Sequence, residues 1–385
     1  MRVLHAVASL DESYGGPAFS VPSLANGLAN LGAENWFLST SRPDAYSRNY
    51  LMDPHRRRWI ETSRSRIMQS AYYSSETSSV ARSILKREGI EIVHLHSIWN
   101  HLSWTVASVA HSMKIPFVIS PRSELMLQSR KRSRLKKALA SGLFVSRMLR
   151  SSSGFHVTDE IEYDQLPAEY SQNVVVSPNG IDLSIGDNLP DKTEAKLSLG
   201  LDPERRYILF LSRLHERKNP DLLIKAFNAL DLSEQKWGLV MAGPADDQAT
   251  NRKIENELKV RPAARVHFTG QVGYEAKRNC YAAADLFVLP TDFENFGNAI
   301  AEALACRIPV ITTTGTPWGQ LPGLNAGWIT EPNIHGLTES LREACTKTGS
   351  ELAAIGSAGR LVVSEFSWDR AAQKVYAFYE GSTKK

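Results

Sequence analysis

Short hydrophobic runs alternate with longer segments of helical periodicity along the first half of the chain. Runs rich in Val, Ile, Leu and Phe predict strands at 2–7, 34–39, 91–96, 116–120, 153–157 and 173–176. Apolar residues spaced three and four apart predict helices over 17–31, 74–89, 102–113, 131–149 and 159–166. Strands that are apolar on both faces and alternate with helices are typical of doubly wound, Rossmann-like α/β sheets.

A polar stretch from Ser184 to Asp191 separates this half from a second alternating series, and we expect it to be a linker. The second series opens with an apolar run ending at Leu211 and a helix from Pro220. Further apolar runs follow near 237–244, 266–272, 285–289 and 308–313. A chain of 385 residues is long enough for two domains of about 150–200 residues each. We therefore predict two doubly wound domains.

The segment 285–305 carries the clearest chemical signal in the sequence. The run Asp285–Leu289 predicts a buried strand, a turn continues to Gly297, and a helix follows. Backbone N–H groups at a helix start attract anions, and a glycine lets a ligand approach the backbone closely. Glu294 and Glu302 bracket this position, so we predict a ligand that has both a phosphate and hydroxyl groups.

Two other predicted strand ends carry polar side chains. A predicted buried strand ends in Arg213, and Lys218 lies across a short loop, so both can converge on one dianionic group. In the first half, alternation puts His94 and His96 on one face of a strand, with His96 nearer the carboxyl end, where α/β sheets bind ligands. We expect His94 to be structural, whereas for His96 a structural role and an acceptor-site role both stay open.

These segments resemble the motifs of one enzyme family, the retaining GT-B glycosyltransferases of family 4. The E-x7-E pattern within P-T-D-F-E-N-F-G-N-A-I-A-E-A-L (290–304) resembles the donor-site signature of that family. Arg213 and Lys218 match its G-R-L-x-x-x-K-G pattern, with Ser212 and Asn219 in place of two glycines. The segment P-N-G-I-D (178–182) resembles the P-N-G-V-D element at the family's domain crossover.

The resemblance implies a GT-B fold, in which two Rossmann-like domains face each other across a donor cleft. It implies an acceptor-binding domain over 1–182, completed by a helix from 366–385, and a nucleotide-sugar domain over 183–365. It also implies transfer with retained anomeric configuration and no metal. The chain has no D-x-D motif to hold a metal, since Asp246 and Asp247 are adjacent.

The resemblance also assigns roles to single residues. Arg213 and Lys218 are expected to stabilise charge on the departing diphosphate, and Glu294 to bind the hydroxyl groups of the donor sugar. These three are the predicted catalytic residues, and Glu302 is the predicted ribose ligand. The other predicted substrate contacts are Gly15, Gly16, His96, Arg122, Gly243, Gln271, Val272, Phe296, Gly297, Asn298 and Ala299, of which Gln271 and Val272 are expected to hold the base.

One position departs from the family pattern. Arg122 stands where the family often has histidine, and Ser123 stands where glycine is usual. A histidine general base therefore cannot be carried over to this position, and Arg122 suits an anionic or hydroxyl-rich group better. Trp318 lies in a G-T-P-W segment that resembles the edge of the family's donor pocket, although packing would explain a tryptophan there as well.

The sequence indicates the type of reaction more clearly than it indicates the donor or the acceptor. UDP-glucose is the first candidate donor, ahead of UDP-N-acetylglucosamine and GDP-mannose. We expect a saccharide or lipid-linked saccharide acceptor in polysaccharide or exopolysaccharide biosynthesis, with no cofactor and no nucleic-acid partner. Two other functions stay open, namely a non-hydrolysing nucleotide-sugar epimerase on the same fold and a non-catalytic protein that binds sugar nucleotides.

Charge and cysteine usage suggest a location. Residues 1–182 contain 21 Lys and Arg against 16 Asp and Glu, a net charge of +5 that leaves −1 for the remainder. We expect the basic runs at 56–59 and 130–137 on surface helices, with an anionic partner, either phospholipid headgroups or a phosphorylated acceptor, as the alternative. Cys280, Cys306 and Cys345 lack metal-site spacing and are expected to be buried thiols.

The hydrophobic pattern bears on membrane insertion. No run of about 18 apolar residues is present, and the predicted first strand begins at residue 2, so we expect neither a membrane span nor a cleavable signal. We therefore predict a cytoplasmic protein, with peripheral contact to the inner face of the cell membrane as an option.

Overall fold

The computed structural model of the chain describes residues 1–11, 16–40, 56–60, 71–126, 144–230, 236–245, 248–260 and 265–383. The chain divides into two compact units. Unit 1 contains Met1–Gly180 and Phe366–Lys385, and unit 2 contains Ile181–Glu365. Each unit is built on one parallel sheet with accompanying helices, so the predicted α/β fold class is confirmed.

The sheet of unit 1 has seven described strands, all paired in parallel. They are β1 (Arg2–Val7), β2 (Glu34–Ser39), β3 (Arg57–Trp59), β4 (Ile92–His96), β5 (Phe117–Ser120), β6 (Gly154–Val157) and β7 (Val174–Val176). Their spatial order is β3-β2-β1-β4-β5-β6-β7. The order reverses between β1 and β4, and ligands of open α/β sheets bind outside the carboxyl ends of strands at such a reversal.

The described helices of unit 1 follow the strands in sequence. They are α1 (Gly16–Asn30), α2 (Thr77–Arg87), α3 (His101–Ser112), α4 (Ser146–Ser151), α5 (Glu160–Asp164) and, from the end of the chain, α13 (Trp368–Thr383). The last helix packs against α1, because Gly27 lets the two helices approach closely. A Cβ atom at Gly27 would lie 2.8 Å from both the Ala372 Cβ and the Trp368 carbonyl oxygen.

The two basic runs have different outcomes. The prediction that 56–59 lies on a surface helix is wrong, because Arg57–Trp59 forms strand β3, which pairs with β2 at the edge of the sheet. Edge strands commonly carry charged residues, since charge discourages pairing with another chain. The second run, 130–137, lies outside the described residues, as does most of the helix predicted over 131–149.

Unit 2 has a six-stranded parallel sheet in the order β10-β9-β8-β11-β12-β13. The strands are β8 (Arg206–Leu211), β9 (Trp237–Ala242), β10 (Val266–Gly270), β11 (Leu286–Leu289), β12 (Val310–Thr313) and β13 (Gly327–Thr330). The described helices are α6 (Lys192–Ser198), α7 (Pro220–Ala229), α8 (Gln248–Val260), α9 (Tyr274–Ala283), α10 (Asn298–Ala305), α11 (Ile334–Thr346) and α12 (Gly349–Ser364). Here the strand order reverses between β8 and β11, so the loops that follow these two strands border the expected ligand position.

Burial follows the hydrophobic pattern of the sequence. The strands β9, β11 and β12 are buried along their whole length, as expected for parallel strands covered on both faces. The three cysteines are buried free thiols, and burial raises the pKa of each to about 12, which leaves them protonated and unreactive. No helix in the described parts of the chain is both long and apolar enough to cross a membrane.

Candidate functional site

The loop after β8 is held against the loop after β11. It contains a short 3-10 helix, Glu216–Lys218, and then Asn219, whose backbone is left-handed with φ of 50°. The Asn219 side-chain amide donates to the Pro290 carbonyl at 2.9 Å and to Asp292 Oδ1 at 2.7 Å. Asparagine is one of the few residues that tolerate this backbone conformation. It therefore replaces the family glycine without disturbing the loop and adds two hydrogen bonds to it.

Arg217 adds a second set of contacts between the same two loops. Its carbonyl oxygen accepts hydrogen bonds from the Asp292 backbone N–H at 2.8 Å and from the Thr291 hydroxyl at 3.0 Å. Its guanidinium carbon lies 3.9 Å from the centre of the Phe293 ring. The two loops are thus fixed relative to each other by contacts on either side of Lys218.

Lys218 and Glu294 form an ion pair between these fixed loops, in which the Lys218 ammonium donates to Glu294 Oε1. The side chains are 16% and 17% exposed. Arg213, at the start of the same loop, is exposed. The structure therefore brings the predicted catalytic residues Lys218 and Glu294 together. An ammonium retains further donors and a carboxylate retains further acceptors after one bond, so both groups can still bind a ligand.

The start of α10 lies directly after Glu294. Gly297 precedes the helix with φ of 76°, a left-handed conformation that glycine adopts without strain. The Phe296 carbonyl oxygen accepts a hydrogen bond from Trp318 Nε1 at 2.7 Å, and Trp318 is fully buried. The buried Trp318 side chain therefore holds the turn before α10 through this hydrogen bond. Helix α10 then begins at Asn298, and the Ile300 and Ala301 N–H groups both donate to the Gly297 carbonyl oxygen, at 2.9 and 3.0 Å.

Glu302 lies one turn into α10 and is held by two side chains of α9. Lys277 Nζ is 2.9 Å from Glu302 Oε1, and the Tyr281 hydroxyl donates to Glu302 Oε2 at 2.7 Å. Lys277 and Glu302 are 16% and 18% exposed. Burial, followed by the charge of Glu302, raises the pKa of Tyr281 well above its usual value, so the phenol remains a donor. Sequence reasoning missed Lys277 and Tyr281, although their spacing of four residues places them on one helix face.

The other predicted donor contacts of unit 2 lie in the loops after β9 and β10. Gly243 is buried, with φ of 142°, and an added Cβ would lie 2.0 Å from the Ser212 carbonyl oxygen. Glycine at this position is thus explained by a close backbone approach within the protein. Gln271 is exposed and Val272 half-buried, directly after Gly270. The roles of all three in binding stay predictions.

The predicted acceptor residues of unit 1 fall at the start of α1 and at the ends of β4 and β5. Gly16 is exposed at the start of α1, and Gly15 lies outside the described residues. Arg122 has φ of 54° and donates to Asn179 Oδ1 at 3.0 Å, which ties the end of β5 to the segment after β7. Ser123 has φ of 64°, so the position where the family has glycine does require a left-handed backbone.

His96 belongs to a buried network of four imidazoles. His5, His94, His96 and His156 are each at most 3% exposed. Because the Asn35 amide donates to the Ala25 carbonyl, Asn35 Oδ1 accepts from His5 Nε2 at 3.1 Å. His5 Nδ1 is then the acceptor for His96 Nε2–H at 3.2 Å. These bonds are satisfied by neutral rings, and the predicted contact between His96 and an acceptor stays a prediction.

The charge state of this network follows from its burial. Burial lowers the pKa of His5 to about 4 and, together with the nearby Arg122 guanidinium, lowers that of His156 to about 3. The pKa of His94 and that of His96 are lowered well below the usual value for the same first reason. One nitrogen from each of His5, His94 and His96 lies within 4.8 Å of the others, the spacing of a three-histidine metal site.

Two observations weigh against assigning a metal to these histidines. Both His5 nitrogens already take part in hydrogen bonds, and the rings of His94 and His96 lie only 4.1 Å apart. Imidazoles bound through their nitrogens to one tetrahedral ion would have ring centres about 5 Å apart. We therefore describe the network as a hydrogen-bonded core and assign no ion to it.

The comparisons with known proteins agree with these two units. Residues 14–185 match the sequence profile of Glycosyltransferase Family 4, and residues 191–378 match that of Glycosyl transferases group 1. The chain belongs to the group 1, family 4 glycosyltransferases. This confirms the family that the E-x7-E segment and the accompanying motifs predicted.

Two bacterial glycosyltransferases are similar to parts of the chain. The lipopolysaccharide core biosynthesis mannosyltransferase LpsB of Rhizobium meliloti is 37% identical over 128 residues, which cover 32% of this chain and 35% of LpsB. The D-inositol 3-phosphate glycosyltransferase of Actinosynnema mirum is 30% identical over 237 residues, covering 57% of this chain and 55% of that enzyme. The chain thus spans about a third to about half of the length of these two relatives.

Solved structures show the fold over the whole chain. The Anabaena Alr3699/HepE structure in complex with UDP-glucose has a TM-score of 0.80 at 17% identity, covering 99% of this chain and 100% of that one. The sucrose-phosphate synthase of Thermosynechococcus elongatus has a TM-score of 0.76 at 18% identity, covering 99% of this chain and 98% of that one. We conclude from these two comparisons that the chain has a GT-B-like fold.

Proposed function

We propose that this protein is a retaining, metal-independent hexosyltransferase that uses a nucleotide-sugar donor. The observation that carries the proposal is the pair of cation–carboxylate contacts, Lys218 with Glu294 and Lys277 with Glu302, on either side of the start of α10. A nucleotide-sugar alternates hydroxyl-bearing sugars with phosphates, so it needs carboxylate acceptors beside cationic and N–H donors. This part of unit 2 offers both kinds of group on either side of one helix start.

The chemical step needs stabilisation of the leaving group. The anomeric C–O bond breaks and its electron pair goes to the diphosphate, while the acceptor oxygen bonds to the anomeric carbon on the same face and its proton passes to a phosphate oxygen. Lys218, Arg213 and the N–H groups at the start of α10 stabilise the developing phosphate charge. Glu294 accepts hydrogen bonds from the sugar hydroxyls and takes no part in covalent chemistry. These charges serve in place of a divalent cation.

UDP-glucose remains the first candidate donor, and GDP-mannose is the second. The fold's likeness to a protein solved with UDP-glucose and the absence of a distinctive base-reading side chain support the first. The second is supported by the rhizobial relative, which is named as a mannosyltransferase. We propose a saccharide or lipid-linked saccharide as the acceptor, in polysaccharide biosynthesis. We place the enzyme in the cytoplasm, and the excess positive charge of residues 1–182 supports its approach to anionic membrane surfaces.

A thermal-shift panel tests the donor site first. UDP, GDP, ADP and their common sugar conjugates are added with and without EDTA, because a ligand that binds only the folded state raises the melting temperature. We expect one sugar nucleotide to raise it equally in both conditions, and Arg213→Ala to abolish the shift. Arg205→Ala is the control, because Arg205 is a half-buried arginine of the same unit that pairs with Asp202. A shift that requires a divalent cation would contradict the metal-independent mechanism.

Product analysis then tests the reaction. With the donor found in the panel, we expect NMR of the product to show the anomeric configuration of the donor, and an inverted product would exclude the proposed mechanism. Exchange of the sugar's C2 proton in deuterated water without an acceptor would instead indicate an epimerase. Donor binding that Glu294→Gln abolishes, in a protein that transfers sugar to no acceptor, would indicate a binding protein.

A further inference from the structure

Helix α9 presents two donors to one carboxylate of the adjacent helix. Lys277 and Tyr281 are one helical turn apart, so their side chains lie on the same face of α9. Each contacts a different oxygen of Glu302, at 2.9 Å for the Lys277 ammonium and 2.7 Å for the Tyr281 hydroxyl. The carboxylate is therefore fixed at both oxygens by side chains that the reaction itself does not require.

This arrangement determines which lone pairs of Glu302 remain for a ligand. A carboxylate has about four acceptor positions, two on each oxygen. Lys277 takes one on Oε1 and Tyr281 takes one on Oε2, so one acceptor position on each oxygen is left by these two bonds. Two acceptor positions on the two oxygens of one planar group match two hydroxyls on neighbouring carbons, such as the 2′ and 3′ hydroxyls of ribose.

The buried position of Tyr281 distinguishes it from a surface contact. Tyr281 is 1% exposed, and its hydroxyl also lies 3.3 Å from the Ala299 carbonyl oxygen in the first turn of α10. The Tyr281 hydroxyl thus has two acceptors within reach, and the Glu302 carboxylate is nearer to it than the Ala299 carbonyl oxygen. The same phenol links the carboxylate to the helix start where the phosphates are proposed to bind.

We propose that Lys277 and Tyr281 are positioning residues, which hold Glu302 as a two-point acceptor for adjacent ribose hydroxyls and so make the site selective for ribonucleotides. This inference rests on the proposed function, because it requires a nucleotide at the start of α10. It adds the prediction that selectivity for ribose over 2′- or 3′-deoxyribose depends on two residues of α9 that need not contact the nucleotide.

The test measures binding of paired nucleotides by calorimetry. The probes are the nucleoside diphosphate with the largest thermal shift in the wild type, its 2′-deoxy form and its 3′-deoxy form. We expect the wild type to bind the ribonucleotide about tenfold to a hundredfold more tightly than either deoxy form. Tyr281→Phe and Lys277→Met are each expected to reduce this ratio by about fivefold or more, mainly by weakening binding of the ribonucleotide.

Kinetics and matched variants separate positioning from folding. Because the ribose lies away from the breaking bond, Tyr281→Phe should raise the KM for the donor with little change in kcat. Lys277→Arg, which keeps the charge and a donor, should retain more of the selectivity than Lys277→Met. Tyr207→Phe is the control, since Tyr207 is also buried in unit 2 and its hydroxyl accepts from the Asp202 backbone N–H. It should lower stability without changing the ratio.

The outcomes distinguish failure of this inference from failure of the proposed function. If the folded wild type binds no nucleotide, the proposed function fails and this inference fails with it. If the wild type prefers ribonucleotides and Tyr281→Phe and Lys277→Met keep the same preference, only the inference is overturned. A reduced ratio in Tyr207→Phe as well would show that the change reflects general loosening of unit 2, and would also overturn the inference.

Discussion

The polar cluster of unit 1 and the polar cluster of unit 2 both involve strands or loops at a reversal of strand order, yet they differ in charge. The four histidines of the buried network in unit 1 are at most 3% exposed, and burial lowers their pKa values so that the rings are neutral. The Lys218–Glu294 and Lys277–Glu302 pairs of unit 2 are 16–18% exposed. Complete burial of an unpaired charge costs several kcal/mol, and pairing with an opposite charge together with partial exposure lowers that cost.

This difference separates a cluster that supports the fold from one that can bind a charged ligand. The neutral imidazoles stabilise the core. They hydrogen-bond to one another, to Asn35 and to Tyr379. Charged side chains at the surface keep spare donors and acceptors for a ligand. We therefore expect changes in unit 2 to affect activity, and changes in the histidine network to affect stability.

Removing Lys218 should have the largest effect on activity. In Lys218→Ala we expect kcat to fall about 10²–10³-fold, because one fixed donor to the leaving group is lost. The free energy of unfolding should change by less than about 1 kcal/mol, since the pair with Glu294 remains partly solvated. Steady-state kinetics and denaturant unfolding measure the two effects. Lys225→Ala, an exposed residue on α7, is the control, and turnover within twofold of the wild type in Lys218→Ala would contradict the assignment.

Acidification should destabilise the protein through the histidine network. The pKa of His5 is about 4 and that of His156 about 3 in the folded chain, against 6.5 in the unfolded chain. Below pH 6.5 the unfolded chain therefore binds protons that the folded chain does not. The free energy of unfolding should be nearly constant above pH 6.5 and fall below it, by about 1.4 kcal/mol per pH unit for each such histidine.

Denaturant unfolding between pH 7.5 and 5 measures this dependence, in a range where most carboxylates stay ionised. His156→Gln provides the comparison, because removing one of these histidines should make the slope smaller. A free energy of unfolding that stays constant down to pH 5 would show that the histidines bind protons in the folded chain as readily as in the unfolded one. The two clusters would then no longer differ in charge as described above.

The bond between His94 and Tyr379 should contribute a smaller amount of stability. His94 Nδ1 and the Tyr379 hydroxyl are 2.6 Å apart, and both residues are fully buried. His94→Phe leaves the hydroxyl without this partner and should lower the free energy of unfolding by about 1–3 kcal/mol. The double variant His94→Phe/Tyr379→Phe should recover part of that loss, and strictly additive single effects would indicate that the bond contributes nothing.

Ser123 should give the smallest effect, and in the opposite direction. Its φ of 64° is costly for serine and not for glycine. Ser123→Gly should therefore raise the free energy of unfolding by about 0.5–1 kcal/mol, after the extra freedom of glycine in the unfolded chain is counted. Ser123→Ala is the matched control and should bring no gain, because alanine retains the strain. Equal stability of the two variants would show that the backbone conformation is not the cause.

Much of the fold could be predicted from the sequence because buried parallel strands leave a local signal. The predicted strands at 2–7, 34–39 and 116–120 correspond to β1, β2 and β5 within one residue at each end. Strand β3 was missed because an edge strand of three residues has neither the length nor the apolar composition of a buried one. Its formation depends on pairing with β2, which no local pattern encodes.

The candidate site was predictable where its chemistry lies in one stretch of chain. Glu294, Gly297 and Glu302 lie in one short segment, 294–302, so the helix start within it could be recognised from spacing alone. Lys277 and Tyr281 were missed as partners of Glu302 because they precede it by 25 and 21 residues. The burial of His96 was likewise not encoded, since it depends on His5, which lies 91 residues away.

The sequence by itself determined most of the strands and helices, the family, and the two carboxylates on either side of the start of α10. Only the tertiary structure decided which of these groups are paired and which polar side chains are sealed in the core. The physical reason is that hydrophobic periodicity acts over one strand or one turn of helix. The bonds from Lys277 and Tyr281 to Glu302 depend on how α9 and α10, which precede and follow β11 in the chain, come together. The burial of the histidines depends on the pairing of β1 with β4.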